Sequence, residues 1–214
     1  MEILEARKLV CESGRRMLKE GLVTGTWGNV SCRVDGRRMV ITPSAADYKA
    51  SGPEDMVLMD FCTGEVLEEK KPSTEYALHA QIYREKQNLG AVVHCHSRYA
   101  CIAAVTAGKL PPYLEDMAML LGPGVKVAPY APAGSPELAE KAVEALGDNY
   151  AVLLQNHGAV CVGRDMEEAF SACRMLEKAC QVFITAQLLG GGKPLTEEDA
   201  AALRKKYLEV YKKK

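Results

Sequence analysis

An apolar run that ends in two histidines constrains this chain more than any other stretch. Residues 92–96 read VVHCH, and an apolar run of this kind is typical of a buried β-strand. Successive side chains of a strand alternate between its two faces, so His94 and His96 point the same way while Cys95 points the other way. The sequence therefore predicts a sheet on which two imidazoles share one face, as in a bidentate metal clamp. A purely structural histidine pair is the alternative.

Two further histidines extend this pair or compete with it. His157 follows the apolar run 150–154 and precedes a glycine. Three imidazoles from the ends of two strands suit a divalent ion with an open coordination position. His79 lies four residues after Glu75 on a predicted helix, and therefore on the same helical face. It is either a rival metal ligand or half of a surface contact between a glutamate and a histidine.

The composition is that of an ordinary globular protein, with 48% hydrophobic and 26% charged residues among 214. This length supports one core, and we expect a single domain spanning residues 1–214. The formal net charge of −1 gives no electrostatic basis for binding nucleic acid or a membrane surface. Eight cysteines without a Cys-x-x-Cys pair predict reduced, buried thiols in a cytoplasmic protein rather than a disulfide framework.

Helical and strand patterns alternate along the chain. The predicted strands and hairpins lie at 30–41, 55–67, 92–96, 125–128 and 150–154. The predicted helices lie at 2–20, from 73 onward, 99–107, 136–146, 166–189 and from 196 onward. Residues 110–116 read as irregular, and the lysines at 212–214 as a solvated run. The pattern predicts an α/β fold, a three-layer sandwich with a central, mostly antiparallel sheet flanked by helices.

Three separate turns carry small or hydroxyl residues. They contain the pairs Gly28 and Asn29, Ser44 and Ala45, and Ser73 and Thr74. Each supplies N–H or O–H donors, and the last pair lies at a helix N-terminus with Glu75 in the first helical turn. Taken singly, each is an ordinary turn or cap; taken together, they could hold a phosphate without any lysine or arginine.

Six short motifs occur in an order that resembles the class II aldolase/adducin family, most closely its L-fuculose-1-phosphate aldolase branch. The motifs are GTWGNVS (25–31), ITPS (41–44), KPSTE (71–75), VHCH (93–96), APY (128–130) and LQNHG (154–158). They span nearly the whole chain. The resemblance is specific for the family and much less specific for the substrate.

The resemblance implies a role for each candidate site residue. His94, His96 and His157 would bind one Zn²⁺ per subunit. Glu75 would be the fourth ligand at rest and a proton-moving base once substrate displaces it. The six turn residues above would bind the phosphate of the sugar. The family also implies a homotetramer with active sites at subunit interfaces, which agrees with a helix at 166–189 that is apolar on more than one face.

The activity that the resemblance implies is that of a zinc-dependent class II aldolase. Such an enzyme reversibly cleaves a ketose 1-phosphate, here L-fuculose 1-phosphate or a 5-deoxypentulose 1-phosphate, to dihydroxyacetone phosphate and an aldehyde through a metal-stabilised enediolate. L-Ribulose-5-phosphate 4-epimerase and methylthioribulose-1-phosphate dehydratase share the fold and remain alternatives. The resemblance implies that the epimerases carry aspartate at the position that Glu75 occupies in this chain. A non-catalytic adducin-like interaction module is the alternative of another class, although those modules lack the metal histidines.

The chain departs from the family at the position of a catalytic acid. In fuculose phosphate aldolases a tyrosine reaches into a neighbouring subunit's site, and counting along the motifs puts Glu115 there. Asp116 is its neighbour, and Tyr113 lies two residues earlier. A carboxyl group donates a proton efficiently only when burial or a nearby anion raises its pKa. We expect Glu115 to be the acid, with an exposed loop carboxylate as the alternative reading and with methylthioribulose-1-phosphate dehydratases among the relatives that carry a carboxylate there.

A tyrosine near the C-terminus also closes the sugar site in the family. Tyr211 is the nearer match in this chain, and Tyr207 is the other candidate. The sequence leaves the choice between them open.

Overall fold

A computed structural model describes residues 1–45 and 47–211, without the side chain of Tyr211; the lysine run at 212–214 lies outside the described residues. Over the described part, helices and strands alternate along the chain. The helices are α1 (Ile3–Lys19), α2 (Tyr76–Glu85), α3 (Arg98–Thr106), α4 (Glu115–Leu121), α5 (Pro136–Leu146), α6 (Met166–Leu188) and α7 (Glu197–Tyr211). The strands are β1 (Asn29–Arg33), β2 (Arg38–Ile41), β3 (Val57–Asp60), β4 (Ala91–Cys95), β5 (Lys109–Leu110), β6 (Val125–Ala128), β7 (Ala151–Leu154) and β8 (Gly158–Gly163).

The described strands form one eight-stranded sheet in the order β3-β2-β1-β4-β8-β7-β6-β5. The pair β6 and β7 is parallel, and the other neighbours are antiparallel. Strand β4 lies between β1 and β8, with His94 opposite Asn29 on one side and opposite Val160 on the other. The histidine strand is therefore central to the sheet, where its neighbours on both sides hold it in register.

Helices cover both faces of this sheet, as the alternation of side chains along β1 shows. The Ser31 hydroxyl contacts His79 of α2, whereas the Cys32 thiol points to the backbone of Ala6 in α1. Helix α5 packs on α2, and α6 packs on β4 and β8, with α3 and α4 packed against α6. The predicted three-layer α/β sandwich with a mostly antiparallel sheet is confirmed.

Most predicted elements are confirmed, including the first hairpin and the long helix α6, whose start is capped by the Asp165 carboxylate accepting from the Glu168 N–H at 2.8 Å. The prediction of an irregular segment at 110–116 was wrong at both ends, because Leu110 belongs to β5 and Glu115 begins α4. Two prolines precede this helix, and its seven residues are too few to show a clear helical period. The strand β8 was also missed. Its short apolar run directly follows a glycine turn.

The eight cysteines are all free thiols, and six of them are buried, as expected. Cys62 is exposed, against the expectation. No helix within the described residues combines the length and the apolar character needed to cross a membrane.

Candidate active site

His94 lies near the end of strand β4, and its side chain points into the polar layer between the sheet and α2. The side chain is completely buried. Its Nδ1 lies 3.0 Å from the carbonyl oxygen of Ala159 on the neighbouring strand β8. A carbonyl only accepts, so Nδ1 carries the proton and donates it to Ala159. This bond fixes the ring and leaves the Nε2 lone pair of His94 available as a ligand, the usual second contact of a metal-binding histidine.

His96 and His157 complete a cluster of three imidazoles. The ring centroids are 4.8, 4.8 and 5.0 Å apart, and one ligand nitrogen from each ring lies within 4.8 Å of the others. His157 belongs to the turn between β7 and β8. Gly158 lets this turn approach β4, because a Cβ there would lie 2.5 Å from the carbonyl oxygen of Cys95. The third histidine is thus placed by a close backbone contact that only glycine allows.

Glu75 faces the same cluster. Its Oε2 lies 3.1 Å from Nε2 of His94, and its Oε1 lies 3.5 Å from Nε2 of His157. The side-chain amide of Asn29 donates to Oε2 at 2.9 Å. The predicted position in the first helical turn was wrong, since Glu75 is the N-cap residue of α2 and its backbone N–H donates to the Ser73 hydroxyl. Its side chain is therefore free to turn toward the histidines instead of following the helix.

The electrostatics of Glu75 are those of a buried anion. Burial alone would raise the pKa of its carboxyl group, but the charge and the Nε2 hydrogen bond of His94 when that ring is protonated, the charge of a protonated His157 and the hydrogen bond from Asn29 hold that pKa well below its usual range. The Oε1 atom is buried and has no hydrogen-bond partner among the described residues. A buried carboxylate oxygen without a partner is costly unless a cation satisfies it.

The donor set fits a divalent ion. Ligands about 2.0–2.1 Å from a tetrahedral zinc ion are about 3.3 Å apart, and the Nε2 atoms of His94 and His96 are 2.9 Å apart, while the contacts of Glu75 are 3.1 and 3.5 Å. Burial, together with the charges of the neighbouring imidazoles, lowers the pKa of His96 to about 4. The imidazole is then neutral at pH 7, which is the form that binds a metal.

A cavity of about 290 Å³ opens beside Glu75, His96 and His157. The six turn residues named from the sequence all line it: Gly28, Asn29, Ser44, Ala45, Ser73 and Thr74. Trp27 and Ala133, which sequence reasoning did not assign, line it as well. Trp27 is 68% exposed at the rim, with its ring centroid 6.3 Å from that of His96. The structure therefore joins three separate turns into one polar wall next to the histidines.

The geometry of these turns is constrained by their neighbours. Gly28 has φ 83°, and a Cβ there would lie 2.7 Å from the carbonyl oxygen of His94. Ala45 has φ 55°, a left-handed conformation that is uncommon for alanine. The backbone N–H groups of Ser44 and Ser73 donate to the carbonyls of Lys71 and Thr42. These two serines therefore offer hydroxyl donors to the cavity, and not the N–H groups that the sequence left as an option.

Glu115 lies elsewhere in this chain. It is exposed at the start of α4, its side chain makes no hydrogen bond or ion pair among the described residues, and it does not line the cavity beside the histidines. Its neighbour Asp116 pairs with Lys178 at 2.6 Å. Tyr113 stacks on Phe183 with ring centroids 6.1 Å apart. The structure does not bring these residues to the site of their own chain.

Tyr207 is also away from the cavity. Its hydroxyl donates to the Glu168 carboxylate at 3.5 Å, and burial with the charge of Glu168 raises its pKa to about 12. The side chain of Tyr211 is outside what the structure describes. The candidate roles of both tyrosines stay predictions.

His79 is neither of the things that the sequence suggested. It is completely buried, so it is not a surface contact, and it is not among the three histidines that converge. Its ring nitrogens lie 2.7 Å from the Ser31 hydroxyl and 2.5 Å from Oδ1 of Asn29. The sequence held one signal for these partners of His79, because Asn29 and Ser31 are two residues apart and therefore lie on one face of β1. Only the tertiary structure shows that α2 covers that face.

The fold and the cavity define the chain as an α/β protein with three histidines that could hold a metal ion, beside a polar cavity. Its sequence matches the family described as Class II Aldolase and Adducin N-terminal domain over residues 8–184. The chain belongs to this family, whose aldolases are lyases.

Similarity to individual members extends over almost the full length. The chain is 34% identical to a 5-deoxy-D-ribulose 1-phosphate aldolase of Bacillus thuringiensis serovar kurstaki, over 97% of each chain. It is 30% identical to the L-fuculose phosphate aldolase of Escherichia coli K12, over 97% of this chain and 96% of the relative. A solved structure of an L-fuculose 1-phosphate aldolase superposes with a TM-score of 0.90 at 30% identity, covering 95% of this chain and 96% of the other.

Proposed function

We propose that this protein is a zinc-dependent aldolase that reversibly cleaves a ketose 1-phosphate to dihydroxyacetone phosphate and a short aldehyde. One observation carries the proposal. The Glu75 carboxylate is buried among three histidines with one oxygen that accepts no hydrogen bond among the described residues, and it faces a cavity walled by hydroxyl groups. Family membership supports the reaction type.

His94, His96, His157 and Glu75 would hold the ion. Three nitrogens and one carboxylate oxygen favour zinc among the divalent metals. When bound, the ion supplies a Lewis acid that polarises the ketone oxygen of the substrate and its neighbouring hydroxyl. Cleavage of the C3–C4 bond then needs no Schiff-base lysine. This agrees with the described residues that line the cavity, which include no lysine.

Besides holding the ion, Glu75 moves a proton at C3 of dihydroxyacetone phosphate. The hydrogen bond from Asn29 engages Oε2 only, so Oε1 can turn toward a substrate carbon. In the direction of condensation, Glu75 removes the C3 proton before the new bond forms. In the direction of cleavage, it returns the proton to C3 after the bond has broken. Removal of the proton requires the ionised carboxylate, which the lowered pKa of Glu75 favours, whereas return of the proton to C3 requires the protonated carboxyl group.

The cavity wall binds the phosphate without a basic side chain. Ser44, Ser73 and Thr74 supply hydroxyl donors, and the N-terminus of α2 adds a favourable dipole for an anion. Gly28 and Ala45 let the backbone approach closely, because neither carries a side chain beyond Cβ. The carbonyl oxygen of Gly28 is held by the Tyr48 hydroxyl at 2.7 Å, which keeps this turn in place.

The part of the site that binds the aldehyde portion of the substrate determines which ketose 1-phosphate is cleaved. The similarity to an aldolase named for 5-deoxy-D-ribulose 1-phosphate and to L-fuculose phosphate aldolases supports two substrates, a 5-deoxypentulose 1-phosphate and L-fuculose 1-phosphate. Glu115 would protonate the aldehyde oxygen from a neighbouring copy of the chain, in a homotetramer in the cytoplasm. Its exposure on a single chain is compatible with that placement.

The direct test measures release of dihydroxyacetone phosphate with a coupled assay on a small panel of ketose 1-phosphates. The variant Glu75→Gln keeps the shape of the side chain and removes the base, so release should fall by about 10²–10⁴-fold. Glu85→Gln changes an exposed glutamate at the other end of α2 and should behave like wild type. Metal is quantified in all three proteins, so that loss of the base is separated from loss of the ion.

A dehydratase is the second candidate, favoured by the carboxylate at position 115. Its signature is loss of water from methylthioribulose 1-phosphate with no free aldehyde. Absence of dihydroxyacetone phosphate from every sugar in the panel, with zinc bound, would reject the aldolase and select this reading or the epimerase.

A further inference from the structure

A buried chain of hydrogen bonds runs behind the cavity and ends on Glu75. The Tyr83 hydroxyl lies 3.0 Å from the Ser31 hydroxyl and donates to the Ser31 carbonyl at 3.1 Å. The Ser31 hydroxyl is 2.7 Å from Nδ1 of His79. Nε2 of His79 is 2.5 Å from Oδ1 of Asn29, and Asn29 donates to Glu75 at 2.9 Å. Of this chain, only Asn29 and Glu75 reach the cavity.

The direction of every bond in this chain follows from its last member. A carboxylate only accepts, so the amide nitrogen of Asn29 must face Glu75 and the amide oxygen must face His79. That oxygen also only accepts, so His79 carries its proton on Nε2. Its Nδ1 is then an acceptor and receives the Ser31 hydroxyl proton. The network therefore selects one tautomer of His79 and one orientation of the Asn29 amide.

The opposite arrangement would be costly at this place. His79 and Ser31 are both 0% exposed, so no solvent compensates a mismatched donor or acceptor, and hydrogen bonds in such surroundings are strong. A flipped Asn29 amide would set its oxygen against the carboxylate of Glu75. Burial lowers the pKa of His79 to about 3, which keeps the ring neutral and able to accept from Ser31.

We propose that His79 is a positioning residue, which holds the Asn29 amide with its nitrogen toward Glu75 and thereby orients the carboxylate that completes the metal site. The roles of Glu75 as ligand and base belong to the function proposed above, and this inference rests on it. His79 touches neither the ion nor the substrate. It acts through Asn29.

The first test reads the tautomer directly and needs no activity. A long-range ¹H–¹⁵N correlation spectrum of the labelled wild-type protein should show His79 as the neutral Nε2–H form at pH 7. Observation of the Nδ1–H form would overturn the inference, since Nε2 would then have no proton for Asn29.

The second test is a double-mutant cycle read out as zinc affinity by competition with a chelator. His79→Leu removes the donor and should weaken binding by about 10–100-fold, the usual effect of losing a residue behind a metal ligand. His79→Gln replaces it with an amide that can donate to Asn29 and should recover most of the affinity. In an Asn29→Ala background, His79→Leu should cost less than about twofold, because the partner through which it acts is absent.

The thermal unfolding temperature of each variant is measured as well, so that a loss of zinc affinity caused by mispositioning is separated from one caused by a general loss of structure. A role in packing alone predicts that His79→Leu weakens zinc binding equally with and without Asn29, and this result would overturn the inference. Wild-type protein that shows the tautomer and the cycle but cleaves no ketose phosphate would reject the proposed aldolase while supporting the placement of Asn29 by His79.

Discussion

The cavity edge of the sheet and the start of α4 each carry a carboxylate that the sequence predicted to be catalytic. The two carboxylates differ in their burial and in their contacts. Glu75 is 7% exposed and is held by Asn29 next to His94 and His157. Glu115 is exposed and has no hydrogen bond or ion pair within the described residues. The first region is organised by a single chain. The second acquires a function only if another copy packs against it.

The difference separates two ways of building a site. At the cavity edge, neighbouring strands fix the ligands through backbone register, as with His94 between β1 and β8. Organisation of this kind is present before substrate arrives and lowers the reorganisation needed for catalysis. At the start of α4, the helix fixes only the backbone, and the side chain of Glu115 is exposed. The two regions should therefore respond differently to mutation.

The largest effect is expected at the centre of the cavity edge. His94→Ala removes a buried ligand and should abolish stoichiometric zinc binding, with aldolase activity falling by about 10³-fold or more, because a bound Lewis acid contributes several kcal/mol to the transition state. Metal analysis and the coupled assay measure both. Cys95→Ala is the matched control on the same strand, with its side chain on the opposite face, and should retain the metal. Full zinc occupancy in His94→Ala would contradict the assigned ligand set.

The next effect tests the exposed region. Glu115→Gln removes the carboxyl group that would accept the hydroxyl proton during cleavage and return it to the aldehyde oxygen during condensation, and should slow cleavage of the ketose phosphate by about 10²-fold, the lower range for general acid–base catalysis. Exchange of the C3 proton of dihydroxyacetone phosphate should be unaffected, since that step involves Glu75 and no aldehyde. Asp116→Asn serves as the neighbouring control. Cleavage by Glu115→Gln within about twofold of wild type would favour the reading of Glu115 as an exposed carboxylate without a catalytic role.

A smaller effect is expected at the polar wall of the cavity. Ser73→Ala deletes one hydroxyl donor to a charged phosphate and should weaken inhibition by inorganic phosphate about tenfold, in line with the strength of hydrogen bonds to ions. Thr106→Ala, on the exposed side of α3, should leave inhibition unchanged. Equal inhibition constants for Ser73→Ala and wild type would place the phosphate elsewhere.

The smallest effect concerns the ion pair beside Glu115. Asp116 and Lys178 are 2.6 Å apart with side chains 47% and 53% exposed, and exposed pairs contribute little because water and salt screen them. Asp116→Asn should change the free energy of unfolding in urea by less than about 1 kcal/mol. A larger loss, insensitive to salt, would show that the start of α4 is held more firmly than the exposure of its side chains indicates.

The sequence predicted those parts of the site that depend on local periodicity. Alternation along β4 put His94 and His96 on one face, and the apolar run before His157 put it at a strand end; the structure brings all three together. The six turn residues likewise line one cavity. These residues lie at strand ends and in turns, which can be predicted from short stretches of sequence. The order of the motifs along the chain then indicates which strand ends and turns belong to one site.

The parts that were missed depend on contacts between distant segments. The burial of His79 is visible only once α2 lies over β1, and the role of Glu75 as N-cap residue depends on the local geometry at Ser73. Helix α4 was hidden by its shortness and by the prolines before it. For Glu115 the limitation is physical, since its side chain is exposed at the start of α4 and the described residues give it no contact that would define a role.

The proposed reaction depends on Glu75, beside a metal held by three histidines, moving the C3 proton of dihydroxyacetone phosphate. The most direct measurement is proton exchange at C3, followed by NMR in D₂O with zinc-loaded wild type and zinc-loaded Glu75→Gln. We expect exchange of one of the two C3 protons by wild type and exchange slowed by about 10²-fold or more in the variant. No exchange by zinc-loaded wild type, or equal rates in the two proteins, would contradict it.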